Sequence, residues 1–282
     1  MGSGWQEWPL VLFTVLGQCV AGGLIVTGLA WFTGHQNDRA RIVRVMFFLW
    51  ILMGIAFLAS VMHLGSPLRA FNSLNRLGHS PLSNEIASGS LFFAVGGLWW
   101  LVAVLGKMPT ALGKAWLIVA MALGVVLIFA MTRVYQIDTV PTWHNGYTTL
   151  GFFLTALLGG PLLGALLLAG AGMATPRACA VVAVLALVIS LAAALMQTAS
   201  LAGIHSTVQQ ASALLPDYGF WQAWRVALLA LGIGCWLCPL VRRVPPRPWG
   251  LMAGFALVLV GELIGRGLFY GLHMTVGMAV AG

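Results

Sequence analysis

Eight apolar runs of about 20 residues, separated by seven polar connections, follow one another along this chain, and that rhythm leaves few folds open. The runs fall at roughly 9–31, 43–63, 86–106, 115–135, 149–170, 178–199, 221–241 and 249–271. As helices rising about 1.5 Å per residue, each is long enough to cross the hydrocarbon core of a bilayer. With 60% hydrophobic and 7% charged residues among 282, a soluble domain with a charged exterior cannot be assembled. The reading is an all-α integral membrane protein: one polytopic domain over residues 1–282, a bundle of about eight transmembrane helices. The opening MGSGWQEWPL has no basic segment before the first apolar run and no small-residue cleavage site, so the first span is expected to stay.

The net charge of +8 does not point to nucleic acid, because the 14 Lys and Arg are scattered singly between apolar runs. Their distribution is topological. Arg39, Arg41, Arg44, Lys107, Lys114, Arg177, Arg242, Arg243 and Arg247 fall on one set of alternate connections; Arg69, Arg76, Arg133, Arg225 and Arg266 fall toward the other. The richer set belongs in the cytoplasm, nine against five, which puts both termini outside. The outer connections are the longer ones and carry most of the titratable side chains, so function is expected at that face.

The most informative stretch runs from His63 through Arg69, Asn72 and Arg76 to Glu85. A helix ends, a polar loop follows and a helix begins, with a titratable group at each junction. A quinol gives up two protons with its two electrons, so its site needs acceptors for the ring hydroxyls. His63 and Glu85 suit that task; Arg69 and Arg76 would favour developing negative charge, and Asn72 would orient a carbonyl. Each also has an ordinary structural reading. A terminal His complements a helix dipole, and Glu85 would follow a Ser83 cap. Ionisable groups near lipid are costly, and the combination favours function.

On the last span Glu262, Arg266, Tyr270 and His273 fall at about 0°, 40°, 80° and 20° of a helical wheel and form one polar stripe. Gly250, Gly254, Gly261 and Gly265 form a separate arc open to close helix approach. The simplest reading of Glu262 and Arg266 is an i,i+4 ion pair. Tyr270 and His273 lie nearer the outer boundary, where they would support a site.

Cys235 and Cys238 have C-x-x-C spacing without the βαβ context of a redox motif, and two thiols complete neither a zinc site nor an iron–sulfur cluster. His63, His144, His205 and His273 stand at or beyond span ends, so a haem held between mid-span histidines is not expected. The expectation is a chain with no metal and no bound cofactor of its own.

The blocks HLGSPLRAFNSLNRLG, LSNEIASGS, IDTVPTW, IHSTVQQASALLPDYG and GELIGRGLFYGLHMTVGMAVAG, in this order over the entire chain, resemble the membrane anchor subunit of the dimethyl sulfoxide reductase family, a group that includes selenate-reductase anchors. The resemblance implies an anaerobic respiratory complex of three subunits in a bacterial inner membrane, with the outer face and both termini periplasmic. The anchor binds and oxidises menaquinol; an iron–sulfur electron-transfer subunit with four [4Fe–4S] clusters receives the electrons. A periplasmic catalytic subunit with a molybdenum bis-pterin guanine dinucleotide reduces the terminal acceptor. It also implies quinol binding at His63 and Glu85. The anchor is then not catalytic for the terminal acceptor. Two other functions fit the composition: a secondary transporter, for which Glu262 and Arg266 argue, and a purely structural anchor without quinol chemistry.

Overall fold

The computed structural model describes residues 2–63, 75–204, 210–215 and 217–274. Among the described residues there are helices and no β-strand. A short 3-10 segment, Gly2–Glu7, leads into α1 (Trp8–Thr33), followed by α2 (Gln36–His63), α3 (Pro81–Val104), α4 (Thr110–Val134) and α5 (Gly146–Gly170). Then come α6 (Arg177–Leu201), the single turn α7 (Ala211–Leu214), α8 (Tyr218–Val241) and α9 (Pro248–Gly271). Eight of these are long and apolar enough to cross a membrane, and each coincides with one of the eight expected runs.

Local chemistry sets the helix ends. Pro81 opens α3 and Ser80 caps it, accepting from the Ser83 amide; the cap is thus three residues earlier than the expected Ser83. Asn145 caps α5 in the same way through the Thr148 amide. At the opposite end of the bundle α3, α5 and α8 close with one shared motif. Gly106, Gly172 and Arg243 take positive φ, and each donates to the carbonyl three residues back while the next residue donates five back. The first two are glycine, as that backbone prefers; Arg243, at φ 56°, is not. The connection expected over 32–42 shrinks to Gly34 and His35, because α2 begins at Gln36 and carries Asp38, Arg39 and Arg41 on its first turns. Those side chains are polar enough to leave the hydrocarbon without leaving the helix.

α1 and α5 form the axis of the bundle, each 78% buried along its most apolar stretch. They cross where side chains are absent. A Cβ on Gly22 would stand 2.5 Å from the Ala156 carbonyl oxygen, and one on Gly160 would stand 2.5 Å from the Gly22 Cα. In lipid, where apolar burial gives helices little reason to associate, such close backbone approach supplies the packing. α2, α4 and α9 pack against α1, α3 against α4, α6 against α5, and α8 against α9. Of the expected glycine arc on α9, Gly254, Gly261 and Gly265 do face α8, meeting Gly232, Leu229 and Arg225; Gly250 has open space instead.

The amino-terminal segment ends up beside the last turn of α9, where Gly4 packs on the Gly267 carbonyl and Gly271, and Trp5 on Gly267. That end of the bundle also carries the start of α3, the α4–α5 connection and the start of α8.

Candidate functional site

At the end of the bundle that gathers Gly4 and the last turn of α9, the α4–α5 connection folds over α9. A helix leaves its last carbonyls unpaired, and here Thr142 and Trp143 supply the donors: Thr142 Oγ1 to the Leu272 carbonyl at 2.6 Å and Trp143 Nε1 to the Phe269 carbonyl at 2.8 Å. Trp143 stacks on Phe269 and lies 4.6 Å, centroid to centroid, from the exposed His273 ring. Beneath it Tyr135 and Tyr270 share a 2.6 Å hydrogen bond between their hydroxyls, both rings buried with Phe152 and Phe269 around them.

Glu85 lies at the same end of the bundle as both phenols. It sits little more than a turn into α3 and is 6% exposed. The turn before it is fixed by Asn84, whose Oδ1 accepts the Gly78 amide at 2.7 Å, with Gly78 at φ 80°. Among the described residues the Glu85 carboxyl has no hydrogen-bond or ion-pair partner. An ionisable side chain buried within a membrane bundle is expensive, and this makes Glu85 the candidate proton acceptor at this end.

A second polar group lies deeper. Gln18, Thr155, Ser190, Arg225, Glu262 and Arg266 come from α1, α5, α6, α8 and α9, each five to eleven residues from the helix end on the Glu85 side, or about 8–16 Å. Glu262 forms an ion pair with Arg225 at 3.3 Å and accepts the Thr155 hydroxyl. Arg225 also donates to Ser190 Oγ at 3.3 Å. Arg266 donates to Gln18 Oε1 at 2.9 Å and to Thr155 Oγ1 at 3.4 Å, and its guanidinium stands 3.5 Å from the Phe152 ring centroid. The expected Glu262–Arg266 ion pair is therefore not formed: Arg225 from α8 takes the carboxylate, and Thr155 stands between the two stripe residues. A cavity of about 50 Å³ borders this layer, lined by Gln222, Arg225, Glu262 and Arg266 among others. That volume holds a few water molecules and no quinol ring.

The structure thus brings Glu85 and Tyr270 to one end of the bundle, with His273 above them, and buries Glu262 and Arg266 below. Arg76 is exposed on the turn before α3. His63 is the last residue of α2 on this same end; its side chain, together with Arg69 and Asn72, lies outside the described residues, as does most of the stretch 204–210. Cys235 and Cys238 are free thiols. Sequence reading passed over Tyr135, Gln18, Thr155 and Ser190. A polar residue inside an apolar span was the available signal for the last three; nothing local marked Tyr135.

Comparison with known proteins places this arrangement. The profile of the DMSO reductase anchor subunit (DmsC) family matches residues 1–272. Over the full length of both sequences, identity is 67% to the YnfH subunit of an anaerobic dimethyl sulfoxide reductase of Escherichia coli. It is 58% to the C subunit of anaerobic dimethyl sulfoxide reductase from the same organism and 43% to the C subunit from Haemophilus influenzae, again with both sequences covered entire. With eight membrane-crossing helices in the expected places and a family match from end to end, the protein belongs to the dimethyl sulfoxide reductase anchor subunit family.

Proposed function

We propose that this multi-pass inner-membrane subunit anchors a dimethyl sulfoxide reductase-type complex and oxidises menaquinol at the Glu85 end of its bundle. The quinol loses two protons and two electrons and becomes the quinone. Glu85 takes one proton, directly or as the hydrogen-bond acceptor of a ring hydroxyl, and His63, at the end of the neighbouring helix, takes the other. The Tyr135–Tyr270 pair donates toward the oxygen that becomes a carbonyl. With no cofactor in the anchor itself, the electrons pass to an iron–sulfur partner docked over the same end and on to a molybdenum bis-pterin guanine dinucleotide subunit in the periplasm. Arg69, Asn72 and Arg76, which follow α2 in the sequence, would orient the head group, with His273 at its rim. Glu262 and Arg266 hold the bundle beneath it.

The observation that carries this reading is Glu85 itself: a buried carboxyl without a side-chain partner among the described residues, at the end of the bundle that also holds the Tyr135–Tyr270 pair. The deeper carboxylate is the weaker candidate, because Glu262 is already hydrogen-bonded and ion-paired beside a cavity too small for the ring.

In the assembled complex, Glu85→Gln and His63→Ala should each lower quinol-driven reduction by about two orders of magnitude or more, the usual contribution of a positioned acid or base. Reduction driven by a viologen radical that feeds the soluble subunits directly should keep its rate. The double variant should lose less than the product of the single losses, since both act on one bound molecule. Normal quinol-driven rates in both single variants would move the pocket away from these residues and toward the stripe with Tyr270 and His273.

A further inference from the structure

At the opposite end of the bundle from Glu85 a cavity of about 520 Å³ opens between the α5–α6 and α8–α9 connections. Its floor is hydrocarbon: Ala165, Ala169, Trp236, Leu240 and Leu251, from the terminal turns of α5, α8 and α9. Two cations, Arg177 at the start of α6 and Arg243 just past the end of α8, line its rim. Both are exposed, and neither has an acidic partner among the described residues. Arg243 stands where α3 and α5 use glycine, in the left-handed backbone that an L side chain resists. The helix end would close more easily with glycine, so the arginine stands against a local preference, and its side chain lies on this cavity.

A ligand for this place needs negative charge at the rim and hydrocarbon below it. A soluble anion meets the first requirement alone, and a neutral lipid the second alone. The volume lies within the range of small-molecule sites, enough for a phosphate head with the first part of an acyl chain. Basic pockets between helices at the membrane boundary suit anionic lipid heads for this reason. The geometry points to a bound anionic glycerophospholipid, its phosphate between Arg177 and Arg243 and an acyl chain laid over Leu240 and Trp236. This site is independent of the quinol site and does not rest on it.

The test uses the whole complex in nanodiscs of phosphatidylcholine with or without phosphatidylglycerol. Native mass spectrometry should find one phosphatidylglycerol retained per anchor subunit, with retention at least tenfold lower in the Arg177→Ala/Arg243→Gly variant. Phosphatidylglycerol should raise the thermal midpoint of the wild type and not that of Arg243→Gly. In phosphatidylcholine alone Arg243→Gly should be as stable as wild type or more so, because the backbone strain is relieved; that separates lost lipid from lost fold. Lys107→Gln, at the same end and outside the cavity, should behave as wild type. The proposal is overturned by retention unchanged in the double variant, by an equal loss in Lys107→Gln, or by inorganic phosphate alone giving the same stabilisation as the lipid.

Discussion

Arg225 and Glu262 are separated by 37 positions in the sequence and meet only because α8 and α9 lie side by side. Nothing in the spacing of either residue announced the other, whereas Arg266, four residues from Glu262, was the obvious partner and is not the one used. The periodicity that put Glu262, Arg266 and Tyr270 on one buried stripe was legible; the partner on the facing helix was not, since pairing across helices depends on depth as well as phase. Tyr135 was silent for the same reason, its hydroxyl meeting that of Tyr270 across 135 positions. The buried pair makes a sharp energetic prediction. Glu262→Gln leaves two guanidinium groups in a membrane layer without their carboxylate and should destabilise the protein by about 3–5 kcal/mol. Adding Arg225→Met to that variant removes one of the stranded charges and should restore much of the loss. Thermal unfolding of the purified subunit in a single detergent reads both; a double variant no better than Glu262→Gln would mean that the carboxylate acts mainly through Thr155.

At the scale of helices, the eight spans were legible because hydrocarbon thickness imposes a length that no soluble helix has to obey. Their ends were less so. Hydropathy registers where lipid stops, and a helix does not stop there: α2 continues outward to Gln36 with Asp38, Arg39 and Arg41 on its surface. Ser80 and Ser83 both suited a cap, and Pro81 at the first helical position decided for Ser80. The close α1–α5 crossing was hidden altogether, since 35 glycines offer many possible contacts and sequence does not say which face which. The crossing is open to direct trial. Gly160→Ala puts a methyl against the Gly22 backbone, which has no side chain to rotate away, and should cost about 1–3 kcal/mol by overpacking. Gly97→Ala, with nothing within 4 Å, should be neutral or mildly stabilising in the same assay, since alanine is the better helix former. Equal effects of the two would show that the crossing tolerates more than its geometry allows.

For the molecule as a whole, the asymmetry of charge between its two ends is the basis for orienting it. The end with Arg39, Arg41, Lys107, Lys114, Arg177, Arg242, Arg243 and Arg247 is expected in the cytoplasm, and the end with Glu85, Gly4 and the last turn of α9 in the periplasm. A single cysteine at position 75, in a variant without the four native ones, should react with a membrane-impermeant maleimide added to intact spheroplasts. One at position 174 should react only after lysis. The reverse pattern would turn the subunit over and send the quinol protons to the cytoplasm.

The hydrogen bond between Gln18 and Arg266 spans 248 positions, and Gln18 lies in the first helix to be made. At a synthesis rate of about 5–20 residues per second, roughly 12–50 s pass before Arg266 leaves the ribosome. Met131, whose sulfur accepts from the Gln18 amide, is made earlier, but until α9 follows the Gln18 carbonyl lacks its final donor, and the central helix α5 on which α1 will close is also late. Shielding therefore falls to the insertion machinery, and the last helix releases it. A photo-crosslinker at position 18 should capture an insertase subunit in ribosome-stalled chains that end before α9 emerges and lose that partner once it has emerged. In this subunit the order of biosynthesis and the order of packing run opposite ways, so the helix that enters the bilayer first is among the last to be fully at rest in it.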